Sequence, residues 1–175
     1  PKCQAYNYTN TLRDASNAFP SPDHDEMDKM VDALANGKLI QLLKLRYRQS
    51  WMVISTLRGE RAIYQPKTGG LQGDCIMPEM FAALYDPVID ECMSQKGHQL
   101  QCTLTAADPN TGREVDVIAT MYADDVNELS LTRDEEHRQE VLQVSTQLFD
   151  QQLERLGMAQ NLSKAEHMST FLSKG

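Results

Sequence analysis

Long hydrophobic runs are missing from this chain of 175 residues. No apolar stretch approaches the ~20 residues that a membrane-crossing helix needs. A leader segment is missing too. The chain opens Pro1-Lys2-Cys3-Gln4, with no basic-then-apolar pattern and no initiator Met, as expected of a piece of a longer polypeptide. Its four cysteines, Cys3, Cys75, Cys92 and Cys102, form no CxxC pair and no metal-ligand spacing with the four histidines. That argues for idle thiols in a reducing, intracellular compartment, with nucleus and cytoplasm not distinguishable. Excess positive charge is also lacking. A net charge of −8 and a pI near 4.9 argue against a protein that grips a nucleic-acid backbone unaided.

What is present is ordinary globular composition, 41% apolar, sufficient for one domain or one with a small added lobe. The basic residues are concentrated: Lys44, Arg46, Arg48, Arg58, Arg61 and Lys67 lie in one stretch. They read either as a phosphate-facing patch or as solvated surface. Residues 5–13 carry Tyr and Thr suited to a strand that ends at Asp14, and Pro20-Ser21-Pro22 then breaks the chain. Asp23 with Glu26 starts a helix as an acidic capping box, Met27, Met30, Val31 and Leu34 give its apolar face, and Asn36-Gly37 stops it. A second helix covers 38–47. Residues 51–57 and 61–65 form a hairpin around Arg58-Gly59-Glu60. A helix follows from about 78, with Pro78 in its first turn and Met77, Phe81, Leu84 and Val88 on its buried side. Pro87 should kink or interrupt it.

Another hairpin, 100–107 with 113–121, turns at Asp108-Pro109-Asn110-Thr111-Gly112. The last helix is capped by a Thr132–Glu135 box, carries Val141, Val144, Leu148 and Leu156 on one face, and stops at Gly157. A short strand near 167–172 ends the chain. The order predicts an α+β fold, an antiparallel sheet with helices packed on one face.

Between two strand-like runs stands Tyr122-Ala123-Asp124-Asp125. So short a connection makes a β-hairpin whose tip presents two adjacent carboxylates. Asp also favours solvated turns, so one reading is a plain hairpin tip. The other is a metal site, because adjacent carboxylates stay ionised in a dry site only with a cation between them. Hard divalent ions take oxygen ligands and share them with phosphates.

With these elements in place, the chain resembles the palm of a reverse transcriptase, most like those of LINE-type (non-LTR) retrotransposons. Asp14-Ala15-Ser16-Asn17-Ala18-Phe19 is similar to the family's Asp-x-x-x-Ala-Phe, and Gly70-Leu71-Gln72-Gly73-Asp74 with Pro78 and Phe81 to its Gln-Gly-Asp motif. Tyr122-Ala123-Asp124-Asp125 follows in order, then Leu156-Gly157-Met158 with Asn161 and Lys164. Gln-Gly-Asp tilts the likeness toward LINE-type enzymes over group II intron or retroviral ones. Four residues depart from the pattern: Arg13 stands where the family has an apolar residue, Pro20 where it often has an acidic one, and Asn127 and Glu128 are more polar than usual. None removes a metal ligand.

The resemblance implies an RNA-directed DNA polymerase palm over residues 1–25 and 67–175, with partial fingers over 26–66. It implies Asp14, Asp124 and Asp125 as ligands of two Mg²⁺ or Mn²⁺ ions. Lys164 is then the residue that protonates or stabilises leaving pyrophosphate. Ala15, Phe19, Gln72 and Gly73 fall at the nucleotide, with Phe19 either excluding a ribose 2′-hydroxyl or serving as a core aromatic. Gly70, Tyr122 and Ala123 fall at the primer and template. Asp74 reads equally as a helix cap. Phe171 to Gly175 resembles the start of a primer-grip hairpin. The implied partners are a primer–template duplex, deoxynucleoside triphosphates and the fingers and thumb of a longer polypeptide, with no membrane. Two alternatives remain: a catalytically silent or domesticated palm serving a larger assembly, and an RNA-dependent RNA polymerase palm.

Overall fold

The structure, a computed structural model, describes residues 7–71, 73–100 and 104–170. In chain order its elements are β1 (Asn7–Arg13), α1 (His24–Leu34), α2 (Lys38–Arg48), β2 (Met52–Ser55), β3 (Arg61–Tyr64), α3 (Met77–Leu100), β4 (Thr105–Ala107), β5 (Glu114–Asp116), β6 (Ala119–Tyr122), β7 (Asp125–Thr132), α4 (Glu135–Arg155) and β8 (Glu166–Thr170). The chain forms two compact units. One contains residues 1–16, 88–154 and 159–175, and the other 17–87 and 155–158.

The first unit is an antiparallel sheet in the order β6-β7-β1-β8. Strand alternation sends every second side chain to one face. On that face β1 buries Thr9, Thr11 and Arg13, and β7 buries Val126, Glu128, Ser130 and Thr132. The helices cover this face with Cys92, Lys96, Val141, Ser145, Phe149 and Leu153. The sheet's contribution to the core is therefore mostly polar, with Val126 its one aliphatic among these seven. On the opposite face Tyr8 and Leu12 stay exposed.

In the second unit α1 starts where Asp23 accepts a hydrogen bond from the Asp25 amide at 3.0 Å. Met27, Val31, Tyr47, Met80, Phe81 and Tyr85 pack its core. Three of the six residues of the basic stretch are paired here. Lys44 pairs with Asp32, Arg48 with Asp25 and Asp28, and Arg46 makes a two-pronged contact with Asp74 at 2.5 and 2.6 Å. Asp74 also accepts from the Ile76 amide at 3.1 Å, which is the cap expected of it. Gly69 is required by geometry: its φ is +57°, and a Cβ there would lie 2.3 Å from the Phe19 carbonyl oxygen.

Three expected features differ in the structure. Helix α3 is not interrupted at Pro87 but runs from Met77 to Leu100, displacing the strand expected from residue 100. A proline costs one helical hydrogen bond, which flanking packing through Leu84, Tyr85, Val88 and Ile89 offsets. The single strand expected over 113–121 is two, β5 and β6, because the Asp116 carboxylate captures the Ile118 amide at 3.0 Å and turns the chain. Finally, Thr132 and Glu135 do not form a capping box. Thr132 is the last residue of β7, its buried hydroxyl without a hydrogen bond among the described residues, and Glu135 pairs with Arg138. Asp134 caps α4 instead, accepting from the His137 amide at 2.8 Å, while His137 Nδ1 accepts from the Arg133 amide at 3.1 Å.

Candidate active site

Asp14, Asp124 and Asp125 all fall in the first unit. Asp14 follows the last residue of β1 and is 8% exposed. Its neighbour Arg13 pairs with Val126, so one further step of the register sets Asp14 across from Asp125. Residues Ala123 and Asp124 make the two-residue turn between β6 and β7, with Tyr122 and Asp125 as the closing pair. Ala123 takes a φ of +56°, a conformation that glycine adopts freely and alanine does not. Strain of this kind concentrates at functional sites.

A loop after α4 holds Asp14 in place. The Ser16 amide donates to Ala159 O and the Asn161 amide to Asp14 O, each at 2.8 Å, and Ala15 bridges Gln160. Asn161 Nδ2 donates to Asp14 Oδ2 at 2.9 Å, and Lys164 Nζ lies 3.2 Å from the same oxygen. Asp14, Tyr122, Asp125 and Lys164 line one cavity of about 610 Å³. The carboxyl of Asp124 is pushed up from its ordinary range, first by burial and then by the charges of Asp125 and Asp14; its own backbone amide and Lys164 oppose the rise. Asp124 therefore feels the charges of both other acids.

Their chemistry suits a hard cation, since carboxylate oxygens are what Mg²⁺ and Mn²⁺ take. Among the described residues, no three His, Cys, Asp or Glu side chains converge as they stand into a set that would enclose an ion. Asp14 has Lys164 and Asn161 as its present partners.

Behind Asp14 lies a buried ion cluster. Arg13 donates to Glu128 Oε2 and Ser145 Oγ at 2.9 Å each, and to Thr146 Oγ1 and Gln160 Oε1 at 3.3 Å. Its guanidinium also lies over the Phe149 ring, 5.2 Å from the centroid. Lys96 contacts the other Glu128 oxygen and donates to Ser130 at 2.7 Å. Burial raises the Glu128 carboxyl, but Lys96 and Arg13, helped by the Ser145 hydroxyl, outweigh it and hold it at about 2. Arg13 and Glu128, two of the departures from the family pattern, are thus partners. The signal available in the sequence was their opposite charge at two positions where apolar residues are expected.

The remaining predicted residues are placed as follows. Ala15 is 2% exposed, packed beneath the loop by its bridge to Gln160. Phe19, Gly70 and Gly73 belong to the second unit. Phe19 is half-buried with its ring 5.0 Å from that of Phe81, and its carbonyl accepts from the Gly70 amide at 3.0 Å. The ring packs as a core aromatic would while keeping part of its surface open. Gly70 lies against the Met77 side chain, and Gly73 needs its +90° φ rather than its small size, since nothing approaches within 4 Å. Gln72 and residues 171–175, where the primer-grip segment was expected, lie outside the described residues.

No protein-family model and no curated protein matches the sequence. Solved structures do share its fold. The chain is similar to apo telomerase from Candida tropicalis truncated from its C-terminal domain, with a TM-score of 0.70 at 9% identity over 99% of this chain and 33% of that one. It is also similar to telomerase from Candida albicans in complex with a fragment of telomeric RNA, with a TM-score of 0.65 at 13% identity over 95% of this chain and 27% of that one. The α+β fold here is therefore shared with these telomerases over the matched region. This chain spans a third or less of the length of the telomerases it matches.

Proposed function

We propose that this chain is the catalytic palm, with part of the fingers, of an RNA-directed DNA polymerase. It would transfer nucleotides from deoxynucleoside triphosphates to the 3′-hydroxyl of a primer on a nucleic-acid template. The observation that carries the reading is the β1–β7 register, which sets Asp14 across from Asp125 at the hairpin turn holding Asp124. Two strands distant in sequence thereby bring three carboxylates to one end of one sheet. The fold shared with the telomerases supports the reading, and the Gln72-Gly73-Asp74 motif favours a LINE-type retroelement within it.

Asp14, Asp124 and Asp125 would hold two Mg²⁺ or Mn²⁺ ions. When bound, such a pair stabilises both the attacking and the leaving oxygen of an in-line phosphoryl transfer. Lys164, now 3.2 Å from Asp14, is free to move because it is 65% exposed, and would then face the departing pyrophosphate. The half-buried Phe19 ring, braced by Phe81, would exclude a ribose 2′-hydroxyl. Ala123, exposed beside the acids, leaves room for a primer end. Fingers and thumb elsewhere in a longer polypeptide would supply the basic grip that a charge of −8 does not.

Paramagnetic broadening by Mn²⁺ tests the site directly. Signals of Asp14, Asp124 and Asp125 should broaden first, and Asp124→Asn should abolish the effect. Broadening spread evenly over the acidic surface, or unchanged in the variant, would remove the metal site and favour a catalytically silent palm.

A further inference from the structure

The loop that grips Asp14 is itself gripped from behind. Two of its side chains, Asn161 and Lys164, end on Asp14 Oδ2, while Gln160 between them accepts instead from the buried Arg13. Arg13 is 1% exposed, and Glu128 and Lys96 around it are equally shut from water. An aliphatic side chain would fill that space without the desolvation cost of a guanidinium. What an aliphatic cannot do is bond in four directions at once. The planar guanidinium of Arg13 reaches Glu128 on β7, Ser145 and Thr146 on α4, and Gln160 in the loop.

We propose that Arg13 is a positioning residue for the acidic site: held by Glu128, Ser145 and Thr146, it fixes Gln160, and through Gln160 the loop that aims Asn161 and Lys164 at Asp14. What the site does with that positioning rests on the polymerase reading. The linkage from Arg13 to the loop does not.

Gln160→Ala is the decisive variant, because it cuts the link and leaves Arg13, Glu128 and Lys96 in place. Amide hydrogen exchange and Mn²⁺ titration would be measured on this chain for the wild type, Gln160→Ala and Arg13→Lys, which keeps a charge but loses the fork. In Gln160→Ala the melting temperature should hold within a few degrees. The Ser16 and Asn161 amides should exchange about tenfold faster while the Val126 amide does not, the scale of one lost hydrogen bond to a charged group. Mn²⁺ should bind several-fold more weakly. Arg13→Lys should reproduce the exchange pattern if Gln160→Ala proves too unstable to read. Unchanged exchange at Ser16 and Asn161 overturns the linkage, and faster exchange with unaltered Mn²⁺ affinity overturns the positioning role. If the wild type binds no Mn²⁺, the polymerase reading fails, and the exchange data still decide whether Arg13 fixes the loop.

Discussion

Glu128 takes charge from two cations in a place that water does not reach. Its carboxyl, held at about 2 against an ordinary 4.5, makes folding stability depend on acid. Because the folded value lies below the unfolded one, the contribution is fully present above about pH 4.5. It is lost as pH falls through about 2, and is worth on the order of 3 kcal/mol. Breaking the cluster costs more than replacing it. Glu128→Gln should lower stability by about 3 kcal/mol or more in urea unfolding at pH 7, since it strands two buried cations. Changing Arg13, Lys96 and Glu128 together to Met should cost less than that single change and flatten the acid dependence between pH 4.5 and 2. A triple variant as acid-sensitive as the wild type would mean that other carboxylates dominate. At this scale the sequence is legible where chemistry is local. Asp124 and Asp125 announce themselves by adjacency, and Asp14 by its motif. The Arg13–Glu128 pair does not, because its members lie in separate strands and each alone looks only like a flaw.

The helix and strand boundaries follow the sequence wherever one dominant local interaction sets them. Asp23 caps α1 without the expected Glu26 half of a box, since Glu26 pairs with Lys29, and the β2–β3 and β6–β7 turns fall where Gly59 and the Ala123-Asp124 pair place them. The α4 start does not, because two residues compete for the cap and the sheet decides. Thr132 is claimed by β7, pairing with Asn7, so Asp134 takes the role. Asp134→Ala should therefore cost about 1 kcal/mol of stability. Thr132→Val should be neutral or slightly stabilising, since it removes a buried hydroxyl that bonds to nothing among the described residues. Thermal unfolding of both variants checks this, and the reverse order would restore the Thr132 cap. The strand pattern was readable for a different reason than usual. β1 and β7 alternate, but apart from Val126 their buried face is Thr, Ser, Arg and Glu, so β-branched residues and not apolar periodicity carry the signal.

Across the whole chain, the fold is shared with the telomerases at only 9–13% identity. Charge balance explains part of how the chain works within itself. Lys44, Arg46 and Arg48 of the basic stretch are paired by Asp25, Asp28, Asp32 and Asp74 of the same unit, while Arg58, Arg61 and Lys67 stay exposed. The β2–β3 hairpin keeps Trp51, Val53, Ile54, Leu57 and Ile63 exposed. Neither property was legible from composition, because net charge and apolar content do not say which charges meet or which apolar groups stay uncovered.

The most direct test of the central claim is primer extension on an RNA template by the polypeptide that carries this chain, in Mg²⁺ or Mn²⁺. Deoxynucleotides should be incorporated, and Asp14→Asn or Asp124→Asn should each reduce the rate about a hundredfold or more, the scale lost with one preorganised charge-stabilising group. Extension that survives both substitutions, or that prefers ribonucleotides with Phe19 intact, would contradict the account.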